Sequence, residues 1–215
     1  MRITVFGATG GVGREIVRQG LAAGHEVTAV VRDPARLTVT AAPGDPGTLE
    51  VLGTDLTAPE QVRAAVAGRD AVLSALGPRD RKDPGVTARL TRAVLAAMAA
   101  EDVRRLLVVS ASPLAPTPPG EPLVDRLMEA VVNVVFRAAY ADMRAMEAAL
   151  AGSGTDWTAV RPPRLLDGPG TGRYRKVIGG RPKSGRTLNR ADVAHAMLAM
   201  IEDRGTVRQA VGVAD

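Results

Sequence analysis

Cysteine is absent from this sequence of 215 residues, which excludes disulfides, thiolate metal sites and cysteine nucleophiles. Histidine is nearly absent, because only His25 and His195 occur. Two imidazoles are too few for a metal site built from several histidines. We therefore predict that the functional site holds no metal ion.

Aromatic residues make up 2% of the chain, so a nucleic-acid surface of stacked rings is not expected. The sequence has no apolar run of about 18 residues, the length that a membrane-spanning helix needs. It also has no charged segment followed by an apolar one before the first predicted strand. We expect a cytoplasmic protein with neither a membrane nor a nucleic-acid partner.

The net charge is +5, and the basic residues are almost all arginine. Two explanations stay open at this point. One is the arginine preference of a GC-rich genome, and the other is a site for anionic small ligands.

The first 32 residues carry the strongest pattern in the chain. Residues 2–6 form an apolar run, residues 7–13 are rich in glycine, the following residues have helical apolar spacing, and residues 25–31 form a second apolar run. A strand, a glycine turn, a helix and a parallel strand within about 30 residues have the size of one βαβ unit. This pattern predicts a dinucleotide site.

The glycines are spaced Gly7-x2-Gly10-x2-Gly13, and each spacing has a physical use. One glycine permits a sharp turn, one lets a pyrophosphate approach the backbone, and one lets the helix pack closely on the strand. The first N–H groups of the following helix can then bind the phosphates. The predicted contacts are Gly7, Ala8, Thr9, Gly10, Gly11, Val12 and Gly13.

Strands and helices alternate along the rest of the chain. Further strands are predicted at residues 49–52, 70–76, 106–109 and 155–161, an edge strand at 209–213, and helices at 86–100 and 124–150 with a break near Phe136. Thr57 and Glu60 form a capping-box pattern before another helix. The alternation predicts an α/β fold with a Rossmann-like, doubly wound parallel sheet. We expect one domain over residues 1–215, with a small C-terminal substrate-binding region and pocket loops within 77–85, 112–122 and 162–188.

With these elements placed, the sequence resembles the atypical short-chain dehydrogenase/reductase proteins. It is most similar to their NAD(P)H-binding NmrA-like group and, within it, to the flavin reductase and biliverdin-IXβ reductase type. The resemblance covers nearly the whole chain. It rests on FGATG at 6–10, VRD at 31–33, GTDL at 53–56, AGRDAV at 67–72, SAS at 110–112, SGTDWT at 153–158 and RPP at 161–163. It implies an NADP-binding fold with its site at the carboxyl ends of the strands.

The residue after the second strand separates NAD from NADP in such folds. An acid there binds the ribose 2′-hydroxyl, whereas a cation accommodates the 2′-phosphate. Here the residue is Arg32, with Arg36 one turn further on and Arg14 on the first helix, while the acidic Asp33 comes one residue late. The sequence predicts NADPH/NADP as the cofactor.

The resemblance implies further cofactor contacts. It places Asp55 under the adenine with Leu56 against the ring, although a turn at a strand end explains Asp55 equally well. The remaining expected contacts are Ala75, Leu76, Gly77 and Ser110.

Familiar short-chain dehydrogenases reduce ketones with a Tyr-x3-Lys pair, but here Tyr140 is followed by Arg144. Counting back from Glu147, Tyr140 lies one residue away from the position expected for the tyrosine of that pair. One residue is about 100° around a helix, enough to turn the phenol away. We therefore assign Tyr140 no catalytic role. Flavins, quinones and bilins accept hydride into conjugated systems that stabilise the anion, so water can supply the proton. The missing pair agrees with the reductase type that the motifs resemble.

Two residues are expected beside the reacting groups. The resemblance puts Ser112 next to the nicotinamide, where its hydroxyl could hold the carboxamide or the acceptor. Arg164 follows two prolines and could bind an anionic group on the acceptor through two hydrogen bonds. The alternatives are a loop serine and an arginine that faces solvent or pairs with Asp167.

The leading hypothesis is an NADPH-dependent oxidoreductase that transfers hydride to a planar conjugated acceptor, such as a flavin, a quinone or a bilin-like molecule. One alternative is a pathway-specific biosynthetic reductase of the same fold. Another is an NADP(H)-sensing NmrA-like regulator that catalyses no reaction. The expected partner is a small-molecule acceptor with an anionic group, and the expected assembly is a monomer or a small homo-oligomer.

Overall fold

A computed structural model describes residues 1–54, 56–77 and 85–215. The strands are β1 (Arg2–Phe6), β2 (Glu26–Val31), β3 (Thr48–Gly53), β4 (Ala71–Ser74), β5 (Arg105–Val109), β6 (Asp156–Arg161), β7 (Arg164–Leu166), β8 (Arg175–Ile178), β9 (Thr187–Asn189) and β10 (Gln209–Ala214). The helices are α1 (Gly11–Ala22), α2 (Pro59–Val66), α3 (Val86–Ala100), α4 (Leu123–Val135), α5 (Arg137–Ala151) and α6 (Arg190–Ala199). Short 3₁₀ helices lie at Pro34–Arg36, Ser112–Leu114 and Arg204–Thr206.

Eight strands form one sheet in the order β3-β2-β1-β4-β5-β6-β10-β8. The pairs are parallel from β3 through to β10, and only β8 runs antiparallel to its neighbour among the described strands. Helices cover both faces, as the two apolar clusters show. One cluster includes Ile16 of α1 and Met197 of α6, and the other includes Val62 of α2 and Met146 of α5. This is the predicted Rossmann-like, doubly wound fold.

The central strands are buried along nearly their whole length because helices remove both of their faces from water. All four residues of β4 are buried, and so are the last four residues of β1. The register aligns Val5 of β1 with Ala29 of β2 and with Leu73 of β4. The carboxyl ends of these three strands therefore lie side by side.

The C-terminal third departs from the prediction in two ways. The strand at 209–213 is not at the edge, because β10 lies between β6 and β8 and buries Val211 and Val213 completely. Within 162–188 the sequence predicts one short strand, at residues 174–178, and the structure has it as β8, but it also has β7 and β9, which pair in a separate two-stranded parallel sheet. The two unpredicted strands, β7 and β9, have three residues each, too few for a pattern that a sequence reveals.

The helix boundaries also differ in part from the prediction. The break near Phe136 is confirmed, because α4 and α5 meet at that residue. The capping box of Thr57 and Glu60 does not form. Helix α2 instead begins after Ala58 with Pro59 at its first position, where a proline's fixed φ suits a helix.

Asp142 connects the helices of one layer. Its side chain is buried in α5 and accepts hydrogen bonds from the backbone N–H groups of Thr87 and Ala88, both at 2.9 Å. A carboxylate at this end of α3 satisfies N–H groups that have no partner within the helix. No helix among the described residues is long and apolar enough to cross a membrane.

Candidate functional site

The turn between β1 and α1 leaves no room for side chains at two of its glycines. Gly7 has φ of +76°, and a Cβ there would lie 2.5 Å from the carbonyl oxygen of Ala75. A Cβ on Gly13 would lie 2.1 Å from the carbonyl oxygen of Gly7. Only glycine at both positions lets α1 pack this closely on the ends of β1 and β4.

Gly10 differs from these two glycines because its outer side is open. A Cβ there would meet only the Gly7 carbonyl oxygen, at 3.3 Å. Gly10 is the N-cap of α1, has no side chain to cap the helix, and is followed by a first turn without acidic residues. The N–H groups that begin an α-helix lack partners within it and attract anions. Ala8 and Val12 are buried, so only their backbones could contact a ligand.

Two arginines lie at the carboxyl end of β2. Arg32 follows the strand directly, Arg36 ends the adjoining 3₁₀ helix, and both are exposed. Asp33 is occupied as a helix cap, since its carboxylate accepts a hydrogen bond from the N–H of Ala35 at 3.1 Å. Within the described part of the chain, neither arginine is paired with a carboxylate. This end of β2 therefore offers cations and no free acid.

The expected adenine contacts fall partly outside the described residues, since Asp55 is not among them. Leu56 is 8% exposed and packs with Phe6 and Val30 in the core, at φ of +65°. Little of its side chain is left for a ring to contact.

The segments after β4 and β5 line the next part of the edge. Ala75 and Leu76 are half-buried, and Gly77 is exposed. Ser112 is 6% exposed, and its N–H donates to the carbonyl oxygen of Pro162 at 2.8 Å. The loops after β5 and β6 are therefore tied together.

A partly buried ion pair lies next to these loops. Arg161, at the end of β6, donates two hydrogen bonds to the carboxylate of Glu147 on α5, at 2.9 and 2.5 Å. The Ser110 hydroxyl, just after β5, donates to the same carboxylate at 2.6 Å. The side chains of Arg161 and Glu147 are 12% and 15% exposed. The group fixes α5 against the ends of β5 and β6.

Tyr140 lies on the same side of α5 as Glu147, because seven residues are close to two helical turns. Since Glu147 reaches Ser110, this side of α5 faces the end of β5. The expectation that Tyr140 turns away is therefore not supported. Arg144, in the position of the usual lysine, is exposed.

Arg164 is exposed at the start of β7 and does not take Asp167 as its partner. That carboxylate instead accepts from Arg190, the first residue of α6, at 2.6 Å. The Arg190 side chain lies over the glycine turn, since a Cβ on Gly11 would be 2.4 Å from its Cδ. Sequence reasoning missed this contact, because no local pattern links residues so far apart.

A cleft of about 360 Å³ opens beside this contact, bounded by Gly11, Arg14, Thr38, Asp167 and Arg190. Another cleft, of about 370 Å³, lies between α3 and α5 near Arg104, at the amino-terminal edge of the sheet. Ligands of open α/β sheets bind outside the carboxyl ends of the strands. The cleft beside Gly11 is therefore the one that belongs to the candidate site.

Comparison with known proteins shows the family of this chain. A family profile for NAD(P)H-binding proteins matches residues 7–204, which is most of the chain. The chain belongs to the NAD(P)H-binding family. The assignment made from the sequence is confirmed at this level, and so is the class of cofactor. The individual contacts to that cofactor, and its identity as NADPH, stay predictions.

Solved structures show the same fold over the full chain. A candidate exported protein from Burkholderia pseudomallei is 29% identical, with a TM-score of 0.79 and 100% of both chains covered. A candidate NADH-flavin reductase from Streptococcus pneumoniae is 20% identical, with a TM-score of 0.79 and 100% and 99% covered. A short-chain dehydrogenase/reductase from Veillonella parvula, solved with NADP, is 18% identical, with a TM-score of 0.78 and 100% and 94% covered.

The partly buried ion pair generates a stability prediction. Replacing Glu147 with Ala leaves the Arg161 guanidinium buried without its carboxylate, which we expect to cost about 3–5 kcal/mol of unfolding free energy. Urea denaturation measures this loss. The control is Glu60→Ala, because Glu60 pairs with Arg63 at the surface and should matter little. Similar losses in both variants would contradict a special role for this pair. A Glu147→Leu/Arg161→Met double variant removes both charges and should be more stable than Glu147→Ala, so equal stability of the two would also contradict that role.

Proposed function

We propose that this protein is an NADPH-dependent reductase whose acceptor is a planar conjugated molecule such as a flavin or a quinone. The observation that carries the proposal lies on α5. The exposed Arg144 follows Tyr140 there, in place of the lysine that would lower the pKa of the tyrosine phenol. Reduction of a ketone needs such a proton donor, whereas reduction of a conjugated ring system does not. When bound, NADPH supplies a hydride, and the acceptor takes it up together with a proton from water.

The glycine turn fits a dinucleotide. Its backbone is open to a ligand at Gly10 and closed to side chains at Gly7 and Gly13, and the start of α1 has no acidic residue. Exposed N–H groups at a helix start suit a pyrophosphate. We propose that the residues from Gly7 to Gly13 hold that group through their backbone.

The acceptor would lie against the loops that Ser112 and Pro162 tie together. Ser112 begins a 3₁₀ helix there and is buried, which supports a positioning role rather than a role in proton transfer. Arg164 is exposed and has no carboxylate partner in the described part of the chain, so its guanidinium is available for an anionic group on the acceptor.

The test is an NADPH-oxidation screen over flavins, quinones and bilins, with Arg164→Ala beside the wild-type protein. We expect turnover with at least one acceptor class, and a KM for FMN that rises in the variant far more than the KM for uncharged lumiflavin. An equal rise for both flavins would remove Arg164 from the acceptor site. Tight binding of NADPH without oxidation by any acceptor would instead favour the sensing regulator.

The choice of NADPH generates a second experiment. Arg32 is exposed at the end of β2, and a charge-assisted bond to a phosphate contributes about 1.5–3 kcal/mol, or about one to two decades in affinity. We expect Arg32→Ala to remove most of the preference for NADPH over NADH, as measured by calorimetric titration of both. Arg18→Ala is the control, because Arg18 is exposed on α1 but paired with Glu15. Equal affinities for the two cofactors in the wild-type protein would contradict the assignment.

Arg190 is a further candidate for the cofactor site. Its side chain lies over Gly11, and its partner Asp167 has a side chain that is 92% exposed. An exposed carboxylate holds an arginine weakly. A bound pyrophosphate would be a stronger partner for the same guanidinium. We propose that Arg190 exchanges Asp167 for the pyrophosphate when the cofactor binds.

The exchange predicts opposite effects for the two partners. Arg190→Ala should weaken NADPH binding about 10-fold or more, because a charge-assisted bond is lost. Asp167→Asn should leave the affinity unchanged or raise it, because it removes the competing carboxylate. Calorimetric titration measures both. If Asp167→Asn weakened binding as much as Arg190→Ala does, the pair would be a structural clamp and the exchange would be wrong.

A further inference from the structure

Helix α4 carries an unusual concentration of exposed apolar residues. Among the described residues, twelve large apolar side chains are exposed, and seven of them lie between residues 123 and 136. We call these seven the α4 face. They are Leu123, Val124, Leu127, Val131, Val134, Val135 and Phe136.

The six members of the α4 face that lie within the helix form a stripe on one side of it, and Phe136 follows at its end. Leu123, Leu127, Val131 and Val134 follow one another at spacings of four, four and three residues, which align on a helix. The two half-buried residues among those described in α4, Val132 and Asn133, lie on the other side of the helix. Asn133 is half-buried, whereas the adjacent Val134 is 77% exposed. This is the reverse of the usual arrangement of a surface helix, whose apolar side faces the core.

The size of the stripe matches one half of a dimer interface. Seven such side chains, exposed by 42–78%, present on the order of 500 Å² of apolar surface. One partner of a standard interface contributes about 800 Å², and homodimer interfaces are about 65% apolar, so the apolar share is also about 500 Å². A single large apolar patch of this size on a monomer is typically a functional contact.

The charges of α4 favour protein over membrane as the surface that covers it. Helices that bind anionic membranes carry Lys and Arg on the polar side and often Trp on the apolar side. Helix α4 contains one arginine, Arg126, against the two acidic residues Asp125 and Glu129, and it has neither lysine nor tryptophan. An apolar helix face with a nearly balanced polar side suits a second copy of itself.

We propose that the α4 face packs against the α4 face of a second copy around a two-fold axis, so that the protein is a homodimer. A two-fold interface uses the same surface patch on both subunits, and a single apolar helix face meets that condition. The contact adjoins the candidate site, because the ring of Phe136 lies 6.0 Å from that of Tyr140, centroid to centroid. The proposal does not depend on the proposed reaction.

Sedimentation equilibrium tests the assembly. We expect the wild-type chain at micromolar concentration to have twice the monomer mass of 22.4 kDa, and Leu127→Glu to fall to the monomer mass with an unchanged circular dichroism spectrum. The control is Val51→Glu on β3, which changes an exposed valine outside the α4 face and should stay dimeric. A monomeric wild-type protein, or a dimer that survives Leu127→Glu, would overturn the proposal.

Cross-linking gives a second measurement that does not rely on disrupting the face. Because the chain has no cysteine, Leu127→Cys introduces a single thiol per copy. A short bismaleimide should link Leu127→Cys into dimers and leave Val51→Cys unlinked. Dimers from both variants, or from neither, would contradict the proposed contact. A wild-type protein that stays monomeric and sediments with phosphatidylglycerol vesicles, while Leu127→Glu does not, would show that the face binds membranes instead.

Discussion

The approach of Gly13 to the carbonyl of Gly7 sets the geometry on which the site depends. Because no Cβ fits between them, α1 starts directly above the end of β1, and the same turn presses Gly7 against the Ala75 carbonyl after β4. Strand β2 lies on one side of β1 and β4 lies on the other, so the direction in which successive strands are added to the sheet reverses at β1. A crevice opens at such a reversal. The exposed start of α1 and the arginines after β2 therefore border one groove.

Much of this arrangement could be predicted from the sequence because it depends on neighbours along the chain. The glycine spacing, the apolar strands and the helix at 86–100 are local patterns, and the structure has α3 at those bounds. The break between helices at Phe136 could be predicted from the sequence for the same reason. The position of β10 was not, since an apolar run at the end of a chain does not reveal whether another strand will pair with its outer side.

The arginines show most clearly where sequence reasoning stops. Arg32 is exposed at the end of β2, Arg161 is partly buried against Glu147, and Arg190 lies across Gly11. Arg105 donates to the carbonyl oxygens of Met200 and Ile201, and burial lowers the pKa of its guanidinium. One residue type thus serves the candidate site, the core and the packing of helices. The chain's positive charge is therefore not by itself evidence for an anionic ligand, and Arg32 supports one only through its place at the end of β2.

Helix α4 has an apolar pattern that is plain in the sequence, yet the pattern alone does not say which way the helix faces. A core-facing interpretation would have buried Leu127 and exposed Asn133, whereas in the structure Leu127 is 68% exposed and Asn133 is half-buried. The residue two positions before α4, Glu121, is tied to the rest of the chain, because its carboxylate accepts from the N–H of Ser184 at 3.2 and 3.3 Å. The end of α4 is joined at Phe136 to α5, which Glu147 holds against the ends of β5 and β6. A single copy therefore leaves the apolar side of α4 in water, and packing it against a second copy would remove that cost.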